Sequence, residues 1–237
     1  MENKKTEHAV RIQTSILNAA EKKVLVWLAE RQPKWVTSDM LTYFGIFGAI
    51  VVAVGYVLSI YNINWLWLST FGFFLNWYGD SLDGTLARVR KTQRPLYGFF
   101  IDHNVDGITI AIMCIGAGLS QLLNLYVAML VLVAYLLLSI YVYISAHLKG
   151  EFKLTYFKMG PTEFRLIVMI INTLFIYVTP LREYSKTVTM LGIETTFGIF
   201  DYIAIVIFIL LMIMHISSLI KDGKEYAKLD PLKKPEN

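Results

Sequence analysis

The sequence predicts an all-α membrane protein: six transmembrane helices behind an N-terminal amphipathic interfacial helix, with both termini cytoplasmic. Three observations carry that expectation. Hydrophobic residues make up 56% of the 237-residue chain and charged residues only 17%, against roughly 25% charged in ordinary soluble domains. Apolar segments near the ~20 residues that cross hydrocarbon recur along a chain whose mean hydropathy is +0.53. The basic residues, finally, divide very unequally among the connections between those segments. This composition excludes a disordered chain, which combines low hydrophobicity with high charge. It also argues against a plain soluble domain.

The elements follow in chain order. Residues 1–7 are polar, with no short apolar stretch ahead of a small-residue cleavage site, so no secretory signal peptide is expected. Over residues 13–31, Ile16, Leu17, Ala20, Val24 and Leu28 recur at helical spacing, with Glu21, Lys22, Lys23 and Glu30 elsewhere on the wheel. That pattern suits a helix lying in the cytoplasmic headgroup layer; a solvated helix packed on cytoplasmic loops is the alternative. Pro33 ends it, and Ser38 or Asp39 stands where the first span needs a cap. The six spans are expected near residues 40–61, 65–79, 108–122, 125–148, 164–178 and 199–220. The second and third reach adequate length only if their helices continue through polar residues at one end. Tyr61, Trp65, Trp67, Tyr126, Tyr177 and Tyr202 fall near segment ends, as interfacial aromatics do. Cys114, the only cysteine, lies in an apolar run and reads as a small buried hydrophobe. The chain thus divides into an interfacial segment (1–39), a six-helix membrane domain (40–220) and a polar, loosely ordered cytoplasmic tail (221–237).

Orientation follows from lysine and arginine. Lys4, Lys5, Arg11, Lys22, Lys23, Arg31 and Lys34 precede the first span. Arg88, Arg90, Lys91 and Arg94 join the second and third, and Lys149, Lys153, Lys158 and Arg165 the fourth and fifth. Lys221, Lys224, Lys228, Lys233 and Lys234 follow the sixth. These are 20 of the 22 basic residues, leaving Arg182 and Lys186 for the other face. The crowded face is cytoplasmic by the positive-inside rule, which puts both termini inside and demands an even number of spans. The net charge of +4 then reflects topology and anionic headgroups. It is not a nucleic-acid signal, because the basic residues are spread over several loops.

Acids are costly at membrane depth and usually functional there. This chain sets Asp80 and Asp83 at the end of one span, and Asp102 and Asp106 at the start of the next. Spacings of three and four put each pair on one helix face, and a short linker makes the helices antiparallel neighbours. Four carboxylates then converge at the cytoplasmic end. Bare, they would repel; protonation is one escape and divalent cations are the other. An all-oxygen set favours Mg²⁺ or Mn²⁺ over zinc, and two such ions can clamp a transferring phosphoryl group. Gly84 and Ala87 leave room near the backbone, and Arg88, with Arg90, Lys91 and Arg94, can meet phosphate oxygens. Ion pairing of the acids with those basic residues is the plainer alternative.

The run Asp80-Ser-Leu-Asp83-Gly84-Thr-Leu-Ala87-Arg88, followed after a spacer by Gly98-Phe-Phe-Ile-Asp102-His-Asn-Val-Asp106, resembles the signature of the CDP-alcohol phosphotransferase family. That signature reads D-x-x-D-G-x-x-A-R, spacer, G-x-x-x-D-x-x-x-D, and every fixed position matches. The resemblance is strong over residues 33–110; beyond, it lies mainly in the membrane helices. It implies a six-helix fold with a cytoplasm-facing site in a cell inner membrane, and phospholipid synthesis. A CDP-linked alcohol would be attacked at its β-phosphorus by an acceptor hydroxyl, releasing CMP. Asp80, Asp83, Asp102 and Asp106 would hold two Mg²⁺ or Mn²⁺ ions, with Asp106 also the general base. Gly84, Ala87, Arg88 and Gly98 would lie along the cytidine diphosphate. A homodimer is a further expectation of the resemblance.

Three features stand apart from the signature. Asp39 and Thr42 occupy the start of the first span, where relatives meet the cytidine; capping is the alternative for Asp39. His103 gives an Asp-His pair like that of the aminoalcohol branch, and could touch phosphate, take a proton or support a metal-binding carboxylate. Glu163 and Arg165, before the fifth span, could face the acceptor; Pro161, Thr162 and Glu163 equally suit a first helical turn. Two substrate readings remain: CDP-diacylglycerol with a soluble acceptor, slightly favoured by the compact chain, or CDP-choline/ethanolamine with diacylglycerol. An ion-coupled transporter is the alternative of another class; it predicts acids near mid-membrane.

Overall fold

The computed structural model describes residues 10–12, 17–149, 151–153, 160–190 and 193–232. In chain order the elements are β1 (Val10–Ile12), α1 (Asn18–Arg31), α2 (Ser38–Leu58), a 3₁₀ turn (Ile63–Trp65), α3 (Leu66–Arg90), α4 (Pro95–Gly118) and α5 (Leu125–Lys149). They continue with β2 (Glu151–Lys153), α6 (Pro161–Tyr177), the short α7 (Thr179–Glu183), β3 (Ser185–Met190), β4 (Ile193–Gly198) and α8 (Ile199–Leu229). Among the described residues four helices, α2, α4, α5 and α8, are by length and composition able to cross a membrane. Their outward faces carry Phe47, Ile50, Val133, Ile140, Val206 and Ile213, each about half exposed. So much exposed apolar surface suits lipid rather than water. The helical, membrane-embedded class is as expected.

Several boundaries differ from expectation. α3 and α4 do continue through their polar ends and take all four aspartates into helix. The first span is capped by Thr37, whose hydroxyl accepts from the Met40 N–H at 3.2 Å, not by Ser38 or Asp39. α8 runs helical through Leu229, nine residues past the expected end of its span; residues 233–237 lie outside the described ones. The expectation of an all-helical chain missed a ribbon, β3 paired antiparallel with β4 from Ser185↔Gly198 to Met190↔Ile193. Thr187, Val188, Thr189, Thr195 and Thr196 explain it, since β-branched residues fit a pleated surface. β1 pairs in parallel with β2.

α1 rests on its neighbours through Leu25 and Ala29, which pack with Val36, Leu41, Leu82 and Leu86; of the expected apolar face Leu28 packs against the same cluster, while Val24 points outward, as does Trp27. Glu21 anchors the helix, accepting from Trp77 Nε1 at 2.8 Å and from the Thr162 hydroxyl at 2.6 Å. Ile16 lies outside the described residues. The following loop is tied by Arg90, which donates to the Gln32 and Pro33 carbonyls at 2.9 Å and to the Val36 carbonyl.

The α2–α3 seam positions everything else. A Cβ at Gly48 would lie 2.3 Å from the Asn76 nitrogen, one at Gly55 2.3 Å from the Ser69 nitrogen, and one at Gly79 2.4 Å from the Gly45 nitrogen. Only hydrogen fits at these positions, so the two backbones touch along an antiparallel register, as small residues allow between membrane helices. α3 packs on α2 and α6, while α4 packs on α2 and α5. α3 and α4 are therefore not packed along one another, contrary to the expectation of antiparallel neighbours. Between the layers, Val52, Tyr56, Leu66, Phe73, Phe175 and Phe200 form the main apolar core. Within it the Tyr56 hydroxyl donates to Asn172 Oδ1 at 2.9 Å.

Candidate active site

Two helix ends deliver the aspartates. α3 closes at Lys91, which takes the left-handed conformation (φ 56°), with the Thr92 N–H donating to the Ala87 carbonyl at 2.9 Å. Pro95 then opens α4, its fixed φ suiting the first turn. The chain thus reverses within a few residues, and the acidic ends of α3 and α4 come to one place. Asp80, Asp102 and Asp106, all half-buried, each offer a carboxylate oxygen, and these oxygens lie within 4.8 Å of one another.

Asp83 is held to one side of that trio. Its Oδ2 accepts from the Thr42 hydroxyl across the seam at 2.6 Å, and its Oδ1 from the Gly84 N–H. Thr42 thus touches an aspartate. Asp39 pairs with Arg94, whose guanidinium also stacks on the Tyr97 ring at 4.0 Å. Arg88 is exposed and donates to the Thr85 hydroxyl at 2.9 Å. A Cβ at Gly84 would meet only the mobile end of Arg88, at 3.3 Å, and one at Gly98 would have nothing within 4 Å. Both glycines are therefore open to an approaching molecule.

Arg165 enters the cluster from α6. Its Nη2 donates to Asp80 Oδ2 at 2.6 Å and its Nε to Asn76 Oδ1 at 3.0 Å. Asn76 is 2% exposed and in turn donates to the Gly45 carbonyl at 3.0 Å. One chain of polar contacts therefore runs from α2 through α3 to α6 and ends on an aspartate. Sequence reasoning missed Asn76. Its signal was available, because it lies one helical turn before Asp80 on the same face. Glu163 is placed differently from Arg165. Its two oxygens accept the Gly160 and Leu17 N–H groups, both at 2.9 Å, which closes the first turn of α6 and fastens the chain before α1. The His103 ring lies on Phe99 (centroids 4.0 Å apart) and edge-on to Tyr143 (4.5 Å). Its Nδ1 faces the Phe99 carbonyl at 2.8 Å and Asp102 Oδ2 at 3.9 Å. The side chains of Lys149 and Lys153, and all of Lys158, lie outside the described residues.

Chemically, this is a cluster of hard oxygen donors, one guanidinium set against it, and two open glycines alongside. Three carboxylates with no soft ligand among them fit Mg²⁺ or Mn²⁺. No curated protein sequence matches the chain significantly. The family model described as CDP-alcohol phosphatidyltransferase matches residues 35–221, a stretch holding both halves of the aspartate motif and every helix from α2 to the membrane part of α8. The chain accordingly belongs to the CDP-alcohol phosphatidyltransferase family, membrane transferases of phospholipid synthesis that move a substituted phosphate group from a CDP-linked alcohol.

Proposed function

We propose that the chain transfers the substituted phosphate of CDP-diacylglycerol to the hydroxyl of a small acceptor alcohol, with Asp106 as general base. The observation that carries this reading is the meeting of Asp80 and Asp102–Asp106, from helices not packed along one another, with oxygens within 4.8 Å. Asp80, Asp83, Asp102 and Asp106 are the residues that would hold two Mg²⁺ or Mn²⁺ ions, which when bound offset the carboxylate charge and polarise phosphoryl oxygens. Gly84, Ala87, Arg88 and Gly98 line the path of the cytidine diphosphate, with Asp39 and Thr42 at its cytidine end. Asp106 takes the acceptor's proton as the acceptor oxygen bonds to the β-phosphorus. The bond from that phosphorus to the CMP oxygen breaks, and CMP leaves with its electron pair. This is displacement by positioning and charge neutralisation.

The proposal includes the topology. α2, α3, α4, α5, α6 and α8 each cross the membrane, and the aspartates and both termini face the cytoplasm of a cell whose inner membrane holds the protein. α3 and α6 are the less apolar members, and each has one face against a neighbour rather than lipid. A homodimer completes the proposed assembly. The donor preference rests on the compact chain. His103, beside Asp102 (Nδ1 to Oδ2 3.9 Å), keeps the CDP-choline/ethanolamine branch as the alternative.

The test is CMP release from CDP-diacylglycerol and from CDP-aminoalcohols, in membranes containing the protein, with Mg²⁺ or Mn²⁺ and a panel of acceptors. Release with no donor sinks the reading; release only from CDP-aminoalcohols moves it to the other branch. Asp106→Asn is expected to abolish turnover while CDP-donor binding persists, and an active Asp106→Asn enzyme overturns the base assignment.

A further inference from the structure

The wall facing Asp106 belongs to α5. Two contacts fix the register of α4 against it. A Cβ at Gly107 would lie 3.7 Å from Leu136 Cδ2. Farther along, the Tyr143 ring meets His103 and the Tyr143 hydroxyl donates to the His103 carbonyl at 3.4 Å. Asp106 lies between these points, opposite the stretch of α5 from Leu136 to Tyr143. Around that stretch α5 carries Tyr135, Ser139 and Tyr143, four residues apart and so on one face, while Tyr141 turns away and donates to Asp222 of α8 at 2.6 Å. Ser139 and Tyr143 are engaged within the protein: the Ser139 hydroxyl donates to the Tyr135 carbonyl at 2.9 Å, and the Tyr143 hydroxyl donates to the His103 carbonyl. Tyr135 is the neighbour of Leu136, which meets Gly107, and is itself only partly exposed, so it stands at the level of Asp106; the field of Asp106, Arg165 and Asp80 at its phenol agrees with that place.

A phenylalanine would fill that space without bringing a hydroxyl into it. An attacking alcohol has one proton and two lone pairs. The proton must go to the base and one lone pair must face phosphorus; the other needs a donor to fix the rotation about the C–O bond. A phenol supplies that donor, and with an ordinary pKa near 10 it keeps its own proton at neutral pH and does not compete with a carboxylate for the alcohol's proton.

We propose that Tyr135 is an acceptor-binding residue, its hydroxyl donating to the alcohol oxygen and holding it against Asp106. This rests on the transferase reading above and names the side of the site where the acceptor sits. Tyr135→Phe is expected to raise the acceptor KM about tenfold, the size of one lost hydrogen bond, with the donor KM within about twofold of wild type. Water then fills the acceptor position more often, so CMP released without transfer product rises as a share of the total. Both products are measured together, and CDP-donor binding is measured directly in detergent to show that the variant is folded. Tyr126→Phe, at an exposed phenol near the start of α5, is the control and leaves both KM values unchanged. An unchanged acceptor KM without uncoupled CMP release overturns the assignment. A parallel rise in donor KM or a loss of donor binding overturns it too, because Tyr135 then serves the fold or the donor. If the wild-type protein releases CMP from no CDP donor, the transferase reading fails and Tyr135 falls with it. If the wild type transfers and Tyr135→Phe matches it, only the Tyr135 assignment fails.

Discussion

Gly48→Ala tests whether the contact between α2 and α3 sets the geometry of the aspartates. The new Cβ would lie 2.3 Å from the Asn76 nitrogen, 2.8 Å from its Cα and 2.9 Å from the Leu75 carbonyl carbon. All three are backbone atoms, so no rotamer change relieves the clash. Ordinary contact begins near 3.4 Å, so α3 must retreat from α2 by roughly 1 Å. Two hydrogen bonds cross the same seam within about two turns: Asn76 Nδ2 to the Gly45 carbonyl at 3.0 Å and Thr42 to Asp83 at 2.6 Å. A retreat of that size takes the first beyond hydrogen-bonding range and leaves the second marginal. Overpacking costs about 1–3 kcal/mol and each lost hydrogen bond about 1 kcal/mol, for a loss on the order of 3–5 kcal/mol. Misplacing a reacting group by ~1 Å can also cost ~100-fold in rate. The expected outcome is a lowered Tm in detergent, followed by tryptophan fluorescence, with metal-dependent CMP release down at least tenfold at temperatures where the variant is folded. Gly98→Ala provides the contrast. Nothing lies within 4 Å of its Cβ, so its Tm holds while CMP release falls if donor passes over it. A Gly48→Ala protein with wild-type Tm and activity would refute the argument that the seam positions the site.

Two further substitutions separate functional from supporting roles. Arg165→Met leaves Asp80 without its cation and Asn76 Oδ1 without a donor; these side chains are only partly exposed, 15% for Arg165 and 28% for Asp80. Stability should fall by about 1–3 kcal/mol without divalent ions. Added Mg²⁺ or Mn²⁺ should raise the Tm more in this variant than in wild type, because ion and guanidinium neutralise the same carboxylate; an equal rise in both would show that no ion binds at Asp80. Glu163→Gln keeps one of the two acceptors that serve Gly160 and Leu17. It should lower stability by about 1–2 kcal/mol and leave both substrate KM values alone, and a changed KM at unchanged Tm would return Glu163 to the acceptor.

What was legible in the sequence is what local chemistry decides. Long apolar runs mark helices whatever their partners, and aspartates at spacings of three and four share a face wherever the helix packs. The failures are decisions made by a neighbour. α1 has apolar residues around much of its circumference over residues 24–29, so only docking on α3 selects Leu25 and Ala29 as the buried pair. The closeness of α2 and α3 needs glycines on both helices in matching register, which neither helix reveals by itself. β3 and β4 have the β-branched residues of a ribbon, but fourteen residues between membrane helices read as a loop until their pairing is seen.

The scarce acids sort by the kind of partner they find. Asp201 is 3% exposed, yet its two oxygens accept the Asn124 and Gly198 N–H groups at 2.6 and 2.7 Å. Glu163 does the same for Leu17 and Gly160. Each is the third residue after a glycine that opens a helix, with one oxygen closing that first turn and the other holding a separate stretch of chain. Burial alone therefore does not identify a reactive carboxylate here; Asp201 is more buried than the half-buried aspartates of the cluster. A carboxylate saturated by backbone N–H groups is held in place and has little left to offer a ligand. The cluster differs because its members face one another from separate helices, and an arrangement of like charges gains nothing for the fold unless something positive joins it. Arg165 supplies one positive group, to Asp80. Three carboxylates meeting with oxygens within 4.8 Å of one another are an arrangement that a divalent ion would complete, and that is the physical reason to place the chemistry there.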